Sequence, residues 1–241
     1  NTQFASTLAG GSNALTITGN LNLDGAATGL TSTSVSGTSN LSASVTTTST
    51  QTYTGAVTLS ANTTLISTGA AITASTIDGA YDLTITAGAA QSLTSAIGSN
   101  TALTALTIGT SSSTNNVTIS ATVNVNGAIT MYGNLINLDE DITGSGNITI
   151  TAAEDIYINS GFTQIVSTGS GNFIKLLAER NISNVTDAPS ITLTTNGGDI
   201  LVASDTDNSG GGVITIVTGS SFESNGGDIT IAGGSTTGSG Y

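Results

Sequence analysis

Apolar and polar residues alternate along this chain in short units, each usually an apolar residue, a threonine and a second apolar residue. This alternation places the two apolar side chains on one face of an extended segment and the middle residue on the other, which predicts short, half-buried β-strands. The units are Val57-Thr58-Leu59, Leu83-Thr84-Ile85, Leu106-Thr107-Ile108, Val117-Thr118-Ile119, Ile129-Thr130-Met131, Ile148-Thr149-Ile150, Ile174-Lys175-Leu176, Ile191-Thr192-Leu193, Ile214-Thr215-Ile216 and Ile229-Thr230-Ile231.

The spacing of these units favours one of three architectures. An antiparallel sandwich would show turns every 8 to 12 residues or so, with more aromatic residues in its core. A propeller would need about 40 residues for each blade. The units here recur about every 20 residues, which is the length of one coil of a parallel β-helix. We therefore predict an all-β fold, a parallel β-helix (β-solenoid) of roughly ten coils.

The same pattern predicts which side chains are buried. If the units stack in one sheet, Val57, Leu83 and Leu106 occupy one interior column. By the same reasoning Ile148 and Ile150 point into the core, whereas Thr149 faces the solvent.

The composition supports the β assignment and narrows the chemistry. Of the 241 residues, 37% are hydrophobic but only 4% are aromatic and 7% are charged, with a mean hydropathy of +0.23. A chain this rich in Val, Ile and Thr is not disordered. The absence of cysteine and histidine excludes disulfides, thiolate or imidazole metal sites and serine–histidine triads.

Charge is scarce and strongly acidic. The formal net charge is −13, and Lys175 and Arg180 are the two basic residues. Nucleic acids and anionic membrane surfaces both require a basic patch, so the sequence excludes them as partners. It has no apolar run of the roughly 20 residues that a membrane span needs, and no signal peptide is visible, which indicates a processed chain or an internal piece.

The acids are unevenly distributed along the chain. Residues 1–134 contain only Asp24, Asp78 and Asp82 as charged residues, and all the others follow. We therefore predict charge-poor, Ser/Thr-rich coils over 1–134 and acidic coils over 135–241, continuous with the first part because no proline-rich or charged linker separates them.

Several segments resemble a known family. The run 51–108 contains QTYTGAVTLSANTTL, IDGAYDLTITAG and ALTALTIG, and it resembles repeats in large bacterial exoproteins of the filamentous haemagglutinin type. The run 133–158, GNLINLDEDITGSGNITITAAEDIYI, and the two NGGDI segments at 196–200 and 225–229 resemble coils of the same family. Autotransporter passenger repeats are near relatives.

The resemblance implies a right-handed parallel β-helix that is secreted and displayed on a bacterial surface as an adhesin or filament. The secretion domain of such exoproteins carries Asn-Pro-Asn motifs, and this chain has no Asn-Pro pair. The resemblance therefore implies the rod, or a processed piece of it, and not the export domain.

Clustered carboxylates are the candidates for catalysis. Asp139-Glu140-Asp141 and Glu154-Asp155 lie about 15 residues apart and could face each other on adjacent coils as a glycoside-hydrolysing pair. Enzymes of that kind usually bind acidic sugars through several basic residues, and this chain has two. We expect the acids to lie in solvated turns and the protein to have no enzymatic role.

A weak calcium site is the one metal-binding hypothesis. Asp205 and Asp207, followed by Gly210, resemble the first half of a calcium loop, although Ile216 stands where the loop's last ligand is expected. A plain turn is the alternative. We predict that Asp205 and Asp207, helped by Asp199 and Asp228, form the site if there is one, because stacked acidic coils need a counterion.

Threonines and tyrosines provide the remaining candidates. Threonine rows could form an ice-binding ladder, but that requires equal coils in register, and coil lengths here vary. The tyrosines could stack on sugars, but their spacing fits repeat positions equally well. The rows are Thr84/Thr86 and Thr149/Thr151, and the tyrosines are Tyr53, Tyr81, Tyr132 and Tyr157.

These features favour an extracellular structural or adhesive β-helical rod. Its partners would be host or neighbouring-cell surface glycans or proteins, or copies of itself joined end to end through open strand edges into a fibre. A carbohydrate-binding or carbohydrate-active β-helix module is the alternative.

Overall fold

A computed structural model describes residues 1–184 and 190–233 of the chain. These residues form β-strands joined by turns and include no helix. The part of the chain that the structure describes therefore has no helix long or apolar enough to cross a membrane. Asp187, one of the acids of the second half, lies outside the described residues.

The strands are short, and many have only three residues. The first fourteen are β1 (Thr2–Phe4), β2 (Leu8–Ile17), β3 (Leu21–Leu23), β4 (Ala27–Val35), β5 (Ser39–Leu41), β6 (Val45–Thr47), β7 (Gln51–Tyr53), β8 (Val57–Leu59), β9 (Thr63–Ser67), β10 (Ile72–Ala74), β11 (Ile77–Asp78), β12 (Asp82–Ala87), β13 (Gln91–Leu93) and β14 (Ala105–Ile108). They are followed by β15 (Val117–Ile119), β16 (Val123–Val125), β17 (Ile129–Gly133), β18 (Ile136–Leu138), β19 (Ile142–Gly144), β20 (Ile148–Ala152), β21 (Ile156–Ile158), β22 (Gln164–Ser170), β23 (Ile174–Ala178), β24 (Ile182–Asn184), β25 (Thr192–Asn196), β26 (Ile200–Ser204), β27 (Ile214–Thr215), β28 (Ser221–Glu223) and β29 (Ile229–Gly233).

The chain divides into two compact units. Unit 1 comprises Asn1–Gly109 and Ser120–Asn126, and unit 2 comprises Thr110–Ile119 and Gly127–Tyr241. The strand pairs within each unit are parallel, which requires that the chain return to the same end of the sheet between paired strands.

In unit 2 each coil adds one strand to each of three sheets. Their strand orders are β15-β18-β21-β24-β27, β19-β22-β25-β28 and β17-β20-β23-β26-β29. The sheets face one another across a narrow core of stacked aliphatic side chains. One interior column consists of Ile129, Ile148, Ile174, Ile200 and Ile229, and its neighbour consists of Met131, Ile150, Leu176, Val202 and Ile231.

Unit 1 is built in the same way but with a long strand, β2 or β4, in each of its first two coils. The first half of β4 pairs with β6 and the second half with β7, so β5, β6 and β7 form three sides of one coil, as β8, β9 and β10 do in the next. Residues paired on neighbouring strands of this unit are separated by 17 to 23 positions, from Leu30 with Thr47 to Leu83 with Leu106. The parallel β-helix prediction is confirmed for both units.

The predicted single interior column is wrong. Leu83 and Leu106 do pair with each other on β12 and β14, but Val57 lies on β8, in the other sheet of unit 1. The reason is that each coil has three strands, and the same apolar-threonine-apolar unit is used on more than one of them. The sequence spacing therefore gives the coil length without identifying the sheet.

The core of unit 1 includes polar side chains that are hydrogen-bonded to the backbone. Gln51 is fully buried, and its Nε2 donates to the carbonyl oxygens of Val45 at 3.0 Å and Ile66 at 2.7 Å. The hydroxyl of Tyr53 donates to Gln51 Oε1 at 3.1 Å, and burial raises the pKa of that hydroxyl. These bonds compensate for the desolvation of an amide in an apolar core.

A second glutamine completes strand pairing with its side chain. Gln91 Oε1 accepts the N–H of Ile72 at 3.0 Å, and Gln91 Nε2 donates to the carbonyl oxygen of the same residue at 2.6 Å. The amide thus supplies to β10 the donor and the acceptor that a neighbouring strand would otherwise provide.

The inward and outward positions of β20 give a matched stability test. Ile150 is fully buried, whereas Thr149 on the same strand is half-buried on the outer face. We expect Ile150→Asp to lower the free energy of unfolding by several kcal/mol, because it buries an unpaired charge. Thr149→Asp should change it by less than about 1 kcal/mol. Thermal unfolding followed by circular dichroism measures both, and equal losses would contradict this assignment of the two faces.

Candidate functional site

Asparagine and aspartate residues just before strands form hydrogen bonds from one coil to the next. In each case the side-chain oxygen accepts the backbone N–H of a residue at the equivalent position of the following coil. The pairs, with acceptor first, are Asn20 and Thr38 at 3.0 Å, Asn62 and Asp82 at 3.1 Å, Asn147 and Phe173 at 3.1 Å, Asp155 and Asn181 at 3.0 Å, Asn181 and Val213 at 3.0 Å, and Asp199 and Asp228 at 2.9 Å. We call these bonds the Asx ladder.

Two aspartates, Asp78 and Asp141, each accept the N–H groups of two consecutive residues on the following coil. Asp78 Oδ1 accepts the N–H groups of Asn100 at 2.8 Å and Thr101 at 3.1 Å. Burial by itself raises the pKa of Asp78, but these hydrogen bonds to its ionised form outweigh burial and hold the pKa below its ordinary value. The carboxylate therefore serves as a structural acceptor.

Asp141 makes the same contact in the first acidic cluster. Its Oδ1 accepts the N–H groups of Thr163 at 2.8 Å and Gln164 at 2.9 Å on the following coil. Its neighbour Asp139 accepts a hydrogen bond from Asn159 Nδ2 at 2.5 Å.

The most elaborate arrangement surrounds Asp155, which is 1% exposed. Its Oδ2 contacts the Arg180 guanidinium at 2.5 Å and accepts the Tyr157 hydroxyl at 3.2 Å, while Oδ1 accepts both the backbone N–H and Nδ2 of Asn181. Burial alone raises the pKa of Asp155, but the hydrogen bonds from Arg180 and Asn181, with the charge of Arg180, hold it below its ordinary value. Arg180 also lies 3.7 Å from Glu154.

The two acidic clusters do not face each other. Asp139 and Asp141 follow the end of β18, whereas Glu154 and Asp155 precede the start of β21, which is the strand paired with β18. The three residues of each paired strand therefore separate the two clusters along the strand direction. These acids do lie between strands, but Asp155 is 1% exposed, so the expectation of solvated turns is wrong for this residue.

The four residues of the calcium hypothesis are also separated. Asp199 and Asp228 precede β26 and β29, whereas Asp205 and Asp207 follow the end of β26. The described residues contain no group of three or more acidic side chains that could hold a metal ion. The predicted four-residue site is therefore not assembled, because five residues of extended strand lie between its two halves.

The loop after β26 is a turn closed by its own amides. Asp205 is 5% exposed, and its Oδ1 accepts the N–H of Gly210 at 3.1 Å. Asp207 Oδ1 accepts the N–H of Ser209 at 3.2 Å. These contacts agree with the plain-turn alternative.

The repeated NGGDI segment has a structural explanation. The side chains of Asn196 and Asn225 donate to carbonyl oxygens of the preceding coil. The second glycine of each segment, Gly198 or Gly227, lies so close to the preceding coil's backbone that an added Cβ would overlap it. The aspartate that follows belongs to the Asx ladder, so the motif is a coil-to-coil contact.

The threonine rows are interrupted at some coils, and two of the four tyrosines are engaged within the fold. In unit 1 Thr64, Thr84 and Thr107 pair on successive coils, whereas the row through Thr86 is interrupted by Ile66. The row that passes through Thr149 is interrupted by Lys175 on the next coil, and the row through Thr151 by Leu177. Tyr53 is 1% exposed and cannot stack on a sugar, and Tyr157 contacts Asp155. Tyr81 is 39% exposed.

One shallow depression on the outer face of unit 2 brings together apolar, cationic and anionic groups. It has a volume of about 270 Å³ and is lined by Phe173, Lys175, Asp199, Ile200, Leu201, Asp228 and Thr230. The sequence pattern did not predict this depression, because it indicated a role in ligand binding only for Asp199 and Asp228 among these residues. The lysine that replaces threonine in the unit Ile174-Lys175-Leu176 was the available signal.

Comparison with protein-family models, with curated proteins and with solved structures gave no match to this chain.

The Asp155 contacts predict a pH-dependent contribution to stability. Since the folded pKa lies below the unfolded value near 3.8, the contribution is complete above that value and is lost as the pH falls through the folded pKa. We expect Asp155→Asn to lower the melting temperature at pH 7 and to lower it much less near pH 2.

The exposed Glu179 provides the control, because Glu179→Gln removes a carboxylate from the same region. It should leave the melting temperature almost unchanged at both pH values. A deficit of Asp155→Asn that is equally large at both pH values would contradict the role assigned to its ionised form.

Proposed function

We propose that this chain is a structural and adhesive β-helix displayed outside the bacterial cell, with no enzymatic role. One observation carries the proposal. The acidic and amide side chains that could perform chemistry are largely engaged in coil-to-coil hydrogen bonds, as the Asx ladder and the contacts of Asp78, Asp141 and Asp155 illustrate. The resemblance of its repeats to filamentous haemagglutinin-type exoproteins supports an extracellular location.

The physical properties of the coils suit such a role. Parallel coils bury one aliphatic column for each inward position of a strand. The outward positions leave a face that consists mainly of threonine, serine and asparagine. A net charge of −13 keeps that face soluble. A repeated fold of this kind provides length and surface with little specialised chemistry.

End-to-end assembly into a fibre is a second version of this function, and it concerns the last described coil. Ile229 and Ile231 continue the two interior columns of unit 2, yet they are 46% and 49% exposed. Their strand, β29, has a pairing partner on one side only among the described residues. In this version the coil of a second copy covers them. Sedimentation of the purified chain distinguishes the two, since a fibre subunit gives a concentration-dependent series of sizes and a monomeric adhesin a single species.

Display on intact bacterial cells tests the location. We expect an antibody raised against this chain to label intact cells of the source bacterium, and a protease added outside the cells to remove the labelling. A cytoplasmic protein serves as the control and should resist the protease. Labelling that appears only after lysis would contradict the proposed function.

A further inference from the structure

The depression described above is formed by a change of residue type along one outward column of unit 2. Thr149, Lys175, Leu201 and Thr230 occupy equivalent outward positions on successive coils. Leu201 is shorter than Lys175 and carries no polar group, so it forms a recessed apolar floor and is only 6% exposed. All five residues of its strand are buried, which is unusual for a strand with one outer face.

Polar groups surround this apolar floor. The Lys175 ammonium lies 4.3 Å from the centroid of the Phe173 ring, which holds the two side chains together at one wall. Asp199 and Asp228 are exposed and lie directly before β26 and β29 on the next two coils. The N–H of Asp228 donates to Asp199 Oδ1 at 2.9 Å and so positions that carboxylate. The half-buried Thr230 completes the lining.

We propose that this depression binds one neutral hexopyranose residue of a surface glycan. Its volume of about 270 Å³ lies below the roughly 300 to 1,000 Å³ of pockets for drug-sized ligands, which suits a single sugar ring. The C–H face of the ring packs on Leu201 and the edge of Phe173. Its hydroxyl groups donate to the carboxylates of Asp199 and Asp228 and accept from the Lys175 ammonium.

The charge of the lining selects among sugars. Two carboxylates and one ammonium give the depression a net charge of −1, and the whole chain carries −13. Sialic and uronic acids would be repelled by both. A protonated amino sugar would be attracted by the two carboxylates and repelled by the Lys175 ammonium, so the net charge disfavours the acidic sugars and does not by itself disfavour this one. A neutral polyol leaves all three charged groups with hydrogen-bond partners and creates no new charge pair.

This inference rests on the proposed adhesive function, for which it names a ligand class and a site. It is tested by titrating methyl glucopyranoside, methyl galactopyranoside and methyl mannopyranoside separately into the ¹⁵N-labelled full chain. We expect at least one of them to shift the backbone amide signals of Leu201, Asp228 and Thr230, with a Kd on the order of 1 mM.

Variants test whether the named groups form the site. Phe173→Ala, and Asp199→Asn combined with Asp228→Asn, should each weaken binding about tenfold, whereas Phe173→Tyr should retain it. Asparagine at 199 keeps an oxygen for the Asp228 N–H, so the coil contact survives. Leu177→Ala is the matched control, because Leu177 faces outward on the same strand as Lys175 but outside the depression, and it should leave Kd within about twofold.

Three results would overturn the inference: no localised shifts with any of the three sugars at about 50 mM, shifts that survive the Phe173 and aspartate substitutions, or localised binding only of methyl glucosaminide or methyl glucuronide. The titration uses the isolated chain, and the labelling experiment uses intact cells. A failed titration with surface labelling intact therefore rejects this site alone, whereas absent labelling rejects the proposed function.

Discussion

Parallel stacking of each coil on the next, about 4.8 Å away, is the constraint on which the rest of this structure depends. Residues at equivalent strand positions lie beside one another on neighbouring coils, so a residue type that recurs at one position forms a column. For the interior this is favourable, because columns such as Ile148, Ile174 and Ile200 bury aliphatic surface continuously. For acidic residues it is unfavourable, because like charges are brought close together.

The Asx ladder reconciles this stacking with an acidic sequence. A carboxylate that accepts a backbone N–H from the next coil is stabilised as the anion, which offsets repulsion from its neighbours. Asp155 is the clearest case, since its buried carboxylate satisfies an amide, a tyrosine hydroxyl and a guanidinium together. The acids that the sequence offers as candidates for chemistry are thereby used to hold coils together, and this use supports the proposed non-enzymatic function.

The sequence was informative about periodicity and much less so about position. Alternation and spacing were sufficient to predict a parallel β-helix, with Ile148 and Ile150 inside and Thr149 outside, because burial requires a period of two within each strand. The same pattern could not place Val57 in the correct sheet, since all three sides of a coil accept the same unit. The turns between the units differ in length, and the length of a turn determines which sheet the next strand joins.

The depression was missed for a related reason. Its groups come from three successive coils that differ in length, from Phe173 to Asp199 and on to Asp228. Their proximity depends on how each turn is closed, which a local pattern does not contain. The four residues of the calcium hypothesis are separated for the same reason, since Asp199 and Asp205 are near in sequence but lie at opposite ends of β26.

Amide hydrogen exchange is the most direct test of the Asx ladder. The backbone N–H of Phe173, which directly precedes β23, donates a hydrogen bond to Asn147 Oδ1 on the preceding coil. The ladder predicts that this amide exchanges as slowly as amides within the strands, and that Asn147→Ala accelerates its exchange while the interior amides of β20 remain protected. Exchange of the Phe173 amide at the rate of an unstructured peptide in the unsubstituted protein would contradict the account.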